Sequence, residues 1–305
     1  MMAYIFRRVF IGIPLVFLVV SLAFLLIRLA PGSPFGNERN LDPEMEQRLL
    51  EKYALDGSWG DQLLRYWQGL LSGDLGPSTQ FRNRNVSEII STTFPVSAAL
   101  GFFSLLLALT LGSIAGTLSA FFHNQWQDRL TMAFVLSGIC LPSFVLGPLL
   151  GLGFAIYWQW LPVAGWGHWE QAILPVLALG IPYGAYCSRL VRTSMIEALE
   201  HDFVRTARAK GNPEWIVVMR HAFKVGILPL VSYSGPLAAH ILTGSIVIEE
   251  IFKIPGMGPF FVNSVFNRDA FMIAGCVAIY SSLLILFNLL VDVLFVYLDK
   301  RVRLS

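Results

Sequence analysis

The sequence predicts an all-α integral membrane protein of six transmembrane helices, and three observations carry that prediction. Hydrophobic residues make up 55% of the 305-residue chain and charged residues 14%, whereas a soluble domain carries about 25% charged residues. The apolar residues gather into runs of bilayer-crossing length, about 20 residues of helix each. A charged island, residues 189–224, is confined between two such runs. Mean hydropathy is +0.62, so little of the chain is left to form soluble mass.

The first span follows Arg7 and Arg8 and covers residues 9–28. Its layout is superficially that of a signal peptide. It closes on Arg28, Pro31 and Gly32 rather than on a small-residue cleavage site, so it reads as a retained helix. Residues 31–94 form the one long polar segment and are expected to build a periplasmic lobe between spans 1 and 2. Within it Asp42-Pro43-Glu44 starts a helix with Met45, Leu49, Leu50 and Tyr53 on one side. Leu63, Leu64, Trp67 and Leu71 suggest a second amphipathic helix, and Gly73-Asp74-Leu75-Gly76-Pro77 marks a turn. The lobe is either a surface for the membrane or a partner, or an inert cap. The chain returns to the bilayer at Phe94-Pro95, and spans follow at 95–122, 130–158, 172–188, 226–248 and 272–298. Pro142, Pro148, Pro175 and Pro182 predict kinks or shifted boundaries in the third and fourth. The pairs Gly112/Gly116, Gly147/Gly151 and Gly180/Gly184 have the four-residue spacing that close helix packing favours.

Basic residues set the expected orientation. With the N-terminus inside, Arg7, Arg8, Arg129, seven basic residues from Arg189 to Lys224, and Lys300, Arg301 and Arg303 all fall on the inner side. The short outer segment 159–171 holds none, and the last outer loop holds Lys253 and Arg268. Both termini and the charged island are therefore expected in the cytoplasm.

The island has a predictable shape. Gly211 suits the left-handed residue that ends a helix, Asn212 is a good N-cap and Pro213 suits the first helical position. Ile196, Leu199, Phe203 and Ala207 recur at helical spacing before the turn, and Trp215, Val218, Met219 and Ala222 after it. Two short helices meeting at a sharp corner form a knob, whereas the plain alternative is a solvated loop between two spans.

Enzymatic chemistry finds no support in the residues. There is no His-Glu-x-x-His helix, no Gly-x-Ser-x-Gly turn, and no Gly followed by Lys anywhere, so a Walker A phosphate loop is excluded. Cys140, Cys187 and Cys276 sit in apolar runs without metal-ligand spacing and read as packed thiols. A self-contained secondary transporter or channel would place charges near the bilayer centre. Arg28, Glu249 and Glu250 instead lie near span ends, with Asp292 the exception.

Arg205-Thr206-Ala207-Arg208-Ala209-Lys210-Gly211, followed nine residues later by His221, resembles the cytoplasmic loop of binding-protein-dependent ABC importers in its peptide-transporting branch. The wider pattern opens Glu-Ala-Ala, where this chain has Arg205-Thr206-Ala207. The resemblance extends to Arg28-Leu29-Ala30-Pro31-Gly32-Ser33-Pro34, Gly73-Asp74-Leu75-Gly76, Glu249, Ile254-Pro255-Gly256-Met257-Gly258 and Asn267-Arg268-Asp269, which look like the B-type permease subunit of oligopeptide importers. It implies a second permease beside this chain, two ATPases below that hold ATP and magnesium, a periplasmic peptide-binding protein above, and no cofactor or metal on this chain. It further implies that Arg205, Thr206, Ala207, Ala209, Lys210, Gly211, Pro213, Trp215, Met219 and His221 form the ATPase-coupling loop. Glu249, Pro255, Gly256, Gly258, Arg268 and Asp269 are a candidate periplasmic gate; alternatively Glu249 only marks the end of the fifth span. The competing function is a stand-alone secondary transporter or channel.

Overall fold

The structure, a computed structural model, describes residues 2–29, 47, 57–81 and 84–298. The expected helix start at Asp42-Pro43-Glu44 with Met45, Leu49, Leu50 and Tyr53, the Ala30–Pro34 part of the first motif, and Lys300, Arg301 and Arg303 lie outside these residues. Helix dominates: α1 (Met2–Leu29), α2 (Trp59–Leu71), α3 (Val86–Phe121), α4 (Trp126–Cys140), α5 (Ser143–Leu150), α6 (Trp169–Glu200), α7 (Asp202–Ala209), α8 (Leu228–Ile251), α9 (Met257–Asn267) and α10 (Ala270–Leu298). Among the described residues an isolated bridge between Pro77 and Asn85 is the sole strand-like pairing. Among the described residues five helices are long and apolar enough to cross a membrane, or six if the bent pair around Pro142 is one span.

The chain divides into two compact units, Met1–Ala98 with Pro255–Ile285, and Ala99–Ile254 with Leu286–Ser305. In the first, α2 lies on α1. Phe17 stacks on Trp67 with centroids 3.9 Å apart, Trp67 Nε1 donates to Ser21 Oγ at 3.1 Å, and Phe24 stacks on Tyr66. The packed face of α2 is Leu63, Tyr66, Trp67 and Leu70, while Leu64 and Leu71 are exposed. The sequence-based face is thus corrected. Tyr66 completes an i, i+3, i+4, i+7 stripe once its ring counts as apolar. Gly73 and Gly76 both take positive φ, 81° and 84°, as the turn between α2 and α3 requires. Helix α3 begins at Val86, eight residues before Phe94, so the end of the expected lobe is already part of a span helix.

In the second unit the other two glycine pairs that pack do so against each other's helices. A β-carbon on Gly112 would fall 2.3 Å from Cys187 Cβ, and one on Gly116 2.6 Å from the Ser188 carbonyl oxygen. On the facing helix, Gly180 and Gly184 meet Ser104, Leu107, Ala108 and Leu111. Helices α3 and α6 therefore approach backbone to backbone, the arrangement that dispersion favours where lipid removes the hydrophobic driving force. The third pair behaves otherwise. Gly147 meets Phe252, but Gly151 has nothing within 4 Å and opens a π-helical stretch, Gly151–Tyr157. Gly116→Val is expected to destabilise the protein by about 1 to 3 kcal/mol or more, because a backbone carbonyl cannot yield. Gly151→Ala is expected to be silent. Denaturant midpoints of the two purified variants check the contrast, and equal midpoints would sink it.

Helix α4 and the segment Ser143–Tyr157, α5 with its π-helical continuation, meet at 104° across Leu141-Pro142, where proline cannot supply the helix-continuing N–H. Their path along α6 is nevertheless monotonic. Asp128 pairs with Arg192, Gly138 lies against Ile181 and Ala185, and Gly147 lies near Ala178. From Arg192 to Ala178 is about 21 Å of helix, roughly two thirds of the thickness of a hydrocarbon core, and the pair continues beyond Gly147 to Tyr157.

Helix α6 does not stop at Ser188. It runs unbroken through Pro175 and Pro182 to Glu200, since no breaker occurs after Pro182 and Ala, Leu, Met, Glu and Arg favour helix. The charged island thus begins as an extension of a span helix.

Candidate functional site

The knob forms where α6 ends. His201 leaves the helix with φ −68° and ψ 151°, and its carbonyl accepts from Val204 N at 3.0 Å to start α7. Asp202 sits in the first turn of α7 and Arg208 in the last, each where the helix dipole favours its charge. Gly211 has φ 77° and its N–H donates to the Arg208 carbonyl at 2.9 Å, which closes the helix.

The cap differs from the sequence-based one by a residue. Pro213 is the N-cap, its carbonyl accepting from Ile216 N at 2.9 Å and Val217 N at 3.2 Å, and Glu214 is the first helical residue. Asn212 is not the cap because its side-chain amide is engaged elsewhere, donating to the Ala207 carbonyl at 2.9 Å across the turn. One α-turn, Glu214–Ile216, runs into a π-helical turn, Val217–Ala222. That wider turn changes which residues face inward. Val204, Ala207, Val217, Val218 and Ala222 are buried and form the inner side of the corner. Phe203, Trp215 and Met219, placed on the apolar stripes by sequence, are instead 40%, 64% and 53% exposed.

A second clamp closes the corner from outside. Arg208 Nε donates to both Glu214 carboxylate oxygens, at 3.2 and 3.1 Å. The guanidinium holds the Glu214 carboxyl below its ordinary range, and the carboxylate raises Arg208 in turn. Both groups are about half exposed, so the pair contributes geometry more than stability. The knob is seated on α6 by Gly226, where a β-carbon would fall 2.3 Å from Met195 Sδ, and by Ser194 Oγ donating to the Gly226 carbonyl. Arg205, Thr206, Ala209, Lys210, Gly211 and Pro213 lie on the exposed side, with His221 half-buried. The result is a rigid corner with cations and apolar side chains on its outer surface. Among the described residues no group of His, Cys, Asp or Glu could hold a metal ion.

Sequence reasoning missed the support at this end of the second unit. Asp128, 3% exposed, accepts from Arg192 Nε at 2.9 Å, from Arg192 Nη2 at 2.8 Å and from Asn124 N at 3.0 Å, and Ser119 Oγ donates to it as well. These bonds tie α3, α4 and α6 together. Asp128 and Arg192 are 64 residues apart, so no local spacing announces them.

The candidate gate residues divide between the two units. Glu249, in the second, is fully buried near the end of α8 and accepts from Ser245 Oγ at 2.8 Å. Its carbonyl accepts from Ile254 N at 2.8 Å as the chain leaves the helix. In the first unit, Pro255 is exposed, Gly256 caps α9, Gly258 is buried, and Met257 N donates to Ser97 Oγ at 2.8 Å. Arg268 ends α9 with a left-handed φ of 58°. Asp269 is fully buried and caps α10, accepting from Met272 N at 3.1 Å while Ser78 Oγ and Gln80 N also donate to it. Burial pushes its carboxyl above the usual range, against those hydrogen bonds. Asp269→Ala removes a cap worth about 0.5 to 2 kcal/mol and releases residues 78–80. Faster protease cleavage there is expected, and an unchanged rate would count against this role.

The family described as "Binding-protein-dependent transport system inner membrane component" matches residues 108–304. The oligopeptide transport system permease protein OppB of Haemophilus influenzae is 41% identical over 305 residues, covering 99% of this chain and 100% of that protein. OppB of Escherichia coli K12 is 42% identical with the same coverage, and the dipeptide transport system permease protein DppB of Bacillus subtilis is 35% identical over 304 residues, covering 100% of this chain and 99% of that protein. Among solved structures, an inward-facing MetNI methionine ABC transporter chain superposes with TM-score 0.59 at 15% identity, covering 69% of this chain and 96% of that one. That likeness is one of fold.

Proposed function

The chain belongs to the family of binding-protein-dependent transport system inner membrane components, and from that premise we propose that it is the permease subunit of an ATP-driven peptide importer, forming half of the translocation pathway. The observation that carries the coupling role is the exposed, rigid corner at Gly211, seated on a span helix that runs unbroken into it. A motor on a separate chain can move such a corner, and α6 carries the displacement into the bilayer. Arg205, Thr206, Ala209, Lys210, Gly211, Pro213, Trp215 and Met219 form the surface presented to the ATPase, with Ala207 buried beneath it and His221 half-buried at its edge. Partners are a second permease, two ATPases that hold ATP and magnesium, and a periplasmic peptide-binding protein; this chain has no nucleotide site of its own.

The topology is six spans with both termini cytoplasmic. The descent of α4 and α5 along α6 supports counting that pair as one crossing. The loop shaped by Pro255, Gly256 and Gly258, with Arg268 and Asp269 at its far end, caps the outer side, and Glu249 anchors the helix that leads into it. A reporter fused after Ser305 is expected in the cytoplasm and one inserted near Ser58 in the periplasm; both on one side would remove a span.

The function is tested by purifying the tagged chain from its native membrane. Co-purification of a second permease and ATPase subunits, with peptide uptake that needs ATP, is the expected result. Uptake by this chain alone in liposomes would favour the stand-alone carrier instead.

A further inference from the structure

A stripe of hydrogen-bonding side chains runs down one open face of α6 and α8. On α8, Tyr233, His240 and Thr243, interspersed with the apolar Pro236 and Val247, follow at steps of three and four and so share a face. His240 and Thr243 are exposed, and His240 stands midway along the helix. On α6, Tyr183 and Tyr186 are one turn apart, and Tyr186 is 44% exposed. The two helices meet here: the Tyr186 and Tyr233 rings are 5.1 Å apart, and the Tyr183 hydroxyl donates to the His240 carbonyl at 3.5 Å. Thr243 is satisfied within its own helix, donating to the Ala239 and His240 carbonyls. The Tyr186 and Tyr233 hydroxyls and the His240 imidazole have no hydrogen-bond partner among the described residues.

Other open faces are chemically different. Helix α3 exposes mainly Phe102, Phe103, Leu106, Leu111, Ile114 and Leu118, and α10 mainly Leu284, Leu286, Leu290 and Leu294, side chains suited to acyl tails, with Thr110 and Ser282 as isolated exposed hydroxyls. Phenol and imidazole groups left unpaired in hydrocarbon are costly. The stripe therefore belongs against water and a polar ligand.

We propose that this stripe is where the translocated peptide touches the chain, and that it holds the peptide by its backbone; this rests on the reading of the chain as a peptide permease. Phenol and imidazole can each donate or accept, so they pair with backbone N–H or C=O groups whatever the cargo sequence. The paired tyrosines, their rings inclined at 42°, offer aromatic surface to any side chain. Tyr233 and His240 are separated by about 10 Å along the helix, about three residues of extended peptide. A tetrapeptide can engage both ends of the stripe, and a dipeptide only one.

The test uses the assembled importer in membrane vesicles, with exposed Cys140 replaced by serine. His240→Cys, Tyr233→Cys and Tyr186→Cys are treated with a water-soluble thiosulfonate, with Ile114→Cys as the lipid-facing control. The stripe cysteines are expected to react about tenfold faster than the control or more, since the reactive thiolate needs water. Tetra-alanine should slow them more than dialanine does. Rates equal to Ile114→Cys, or no slowing by either peptide, would overturn the proposal. Uptake of tetra-alanine by the unmodified importer, measured alongside, separates the two levels. Uptake without protection sinks the stripe alone, whereas no peptide uptake at all sinks the permease reading and the stripe with it.

Discussion

A Gly211→Val protein is expected to insert normally into the membrane and to lose peptide uptake. Gly211 has φ 77°, and a β-carbon there would meet nothing within 4 Å, so the penalty is one of backbone conformation and not of space. A β-branched residue held at positive φ costs about 1 to 3 kcal/mol. The chain can escape it only by opening the corner, which would release the Asn212 amide from the Ala207 carbonyl and shift Pro213 from its capping position. The spans contribute nothing to that turn and should be unaffected. Gly211→Asn provides the control, because asparagine tolerates the left-handed region and the site has room for it. Uptake retained in Asn and lost in Val, with ATPase co-purification following the same order, is the expected pattern. Normal uptake and association in Gly211→Val would show that the corner is solvated filler and would restore the stand-alone carrier.

The second large effect is expected at Asp128. Removing one partner of a buried ion pair strands the other charge, at a cost of about 3 to 5 kcal/mol, and because the Arg192 side chain is 24% exposed the lower end of that range is expected here. Asp128→Ala leaves Arg192 without its two carboxylate bonds and leaves Ser119 Oγ and Asn124 N without their acceptor. The variant should unfold at distinctly lower denaturant concentration in detergent. The double variant Asp128→Ala with Arg192→Ala should lose less than Asp128→Ala alone, because no unpaired guanidinium remains. Equal midpoints for the single variant and the wild type would mean that solvent already screens the pair. Because α6 leads directly to the knob, loss of this support is also expected to lower uptake in proportion to the protein left folded.

Much of this molecule is decided locally, and the sequence alone determined that part. Apolar runs of bilayer length force backbone groups to pair within each segment, so an all-helical membrane architecture followed from composition and run length. The corner at Gly211 was legible because a left-handed residue, a turn and a proline are specified within a few positions of one another. Tertiary structure decided what depends on residues far apart in the chain. The inward face of α2 was chosen by Phe17, Ser21 and Phe24 on another helix, not by the spacing of its own leucines. Asn212 lost the capping position to Pro213 because its amide reached across the turn to Ala207. The exposure of Met219 followed from a π-helical turn that α-helical periodicity does not anticipate, whereas α7 turned Val204 inward in place of Phe203. Asp128 found Arg192 only because α4 and α6 run antiparallel and bring 64 residues of separation down to hydrogen-bond distance. Periodicity and capping are short-range properties of the chain; which faces meet is set by the packing of whole helices.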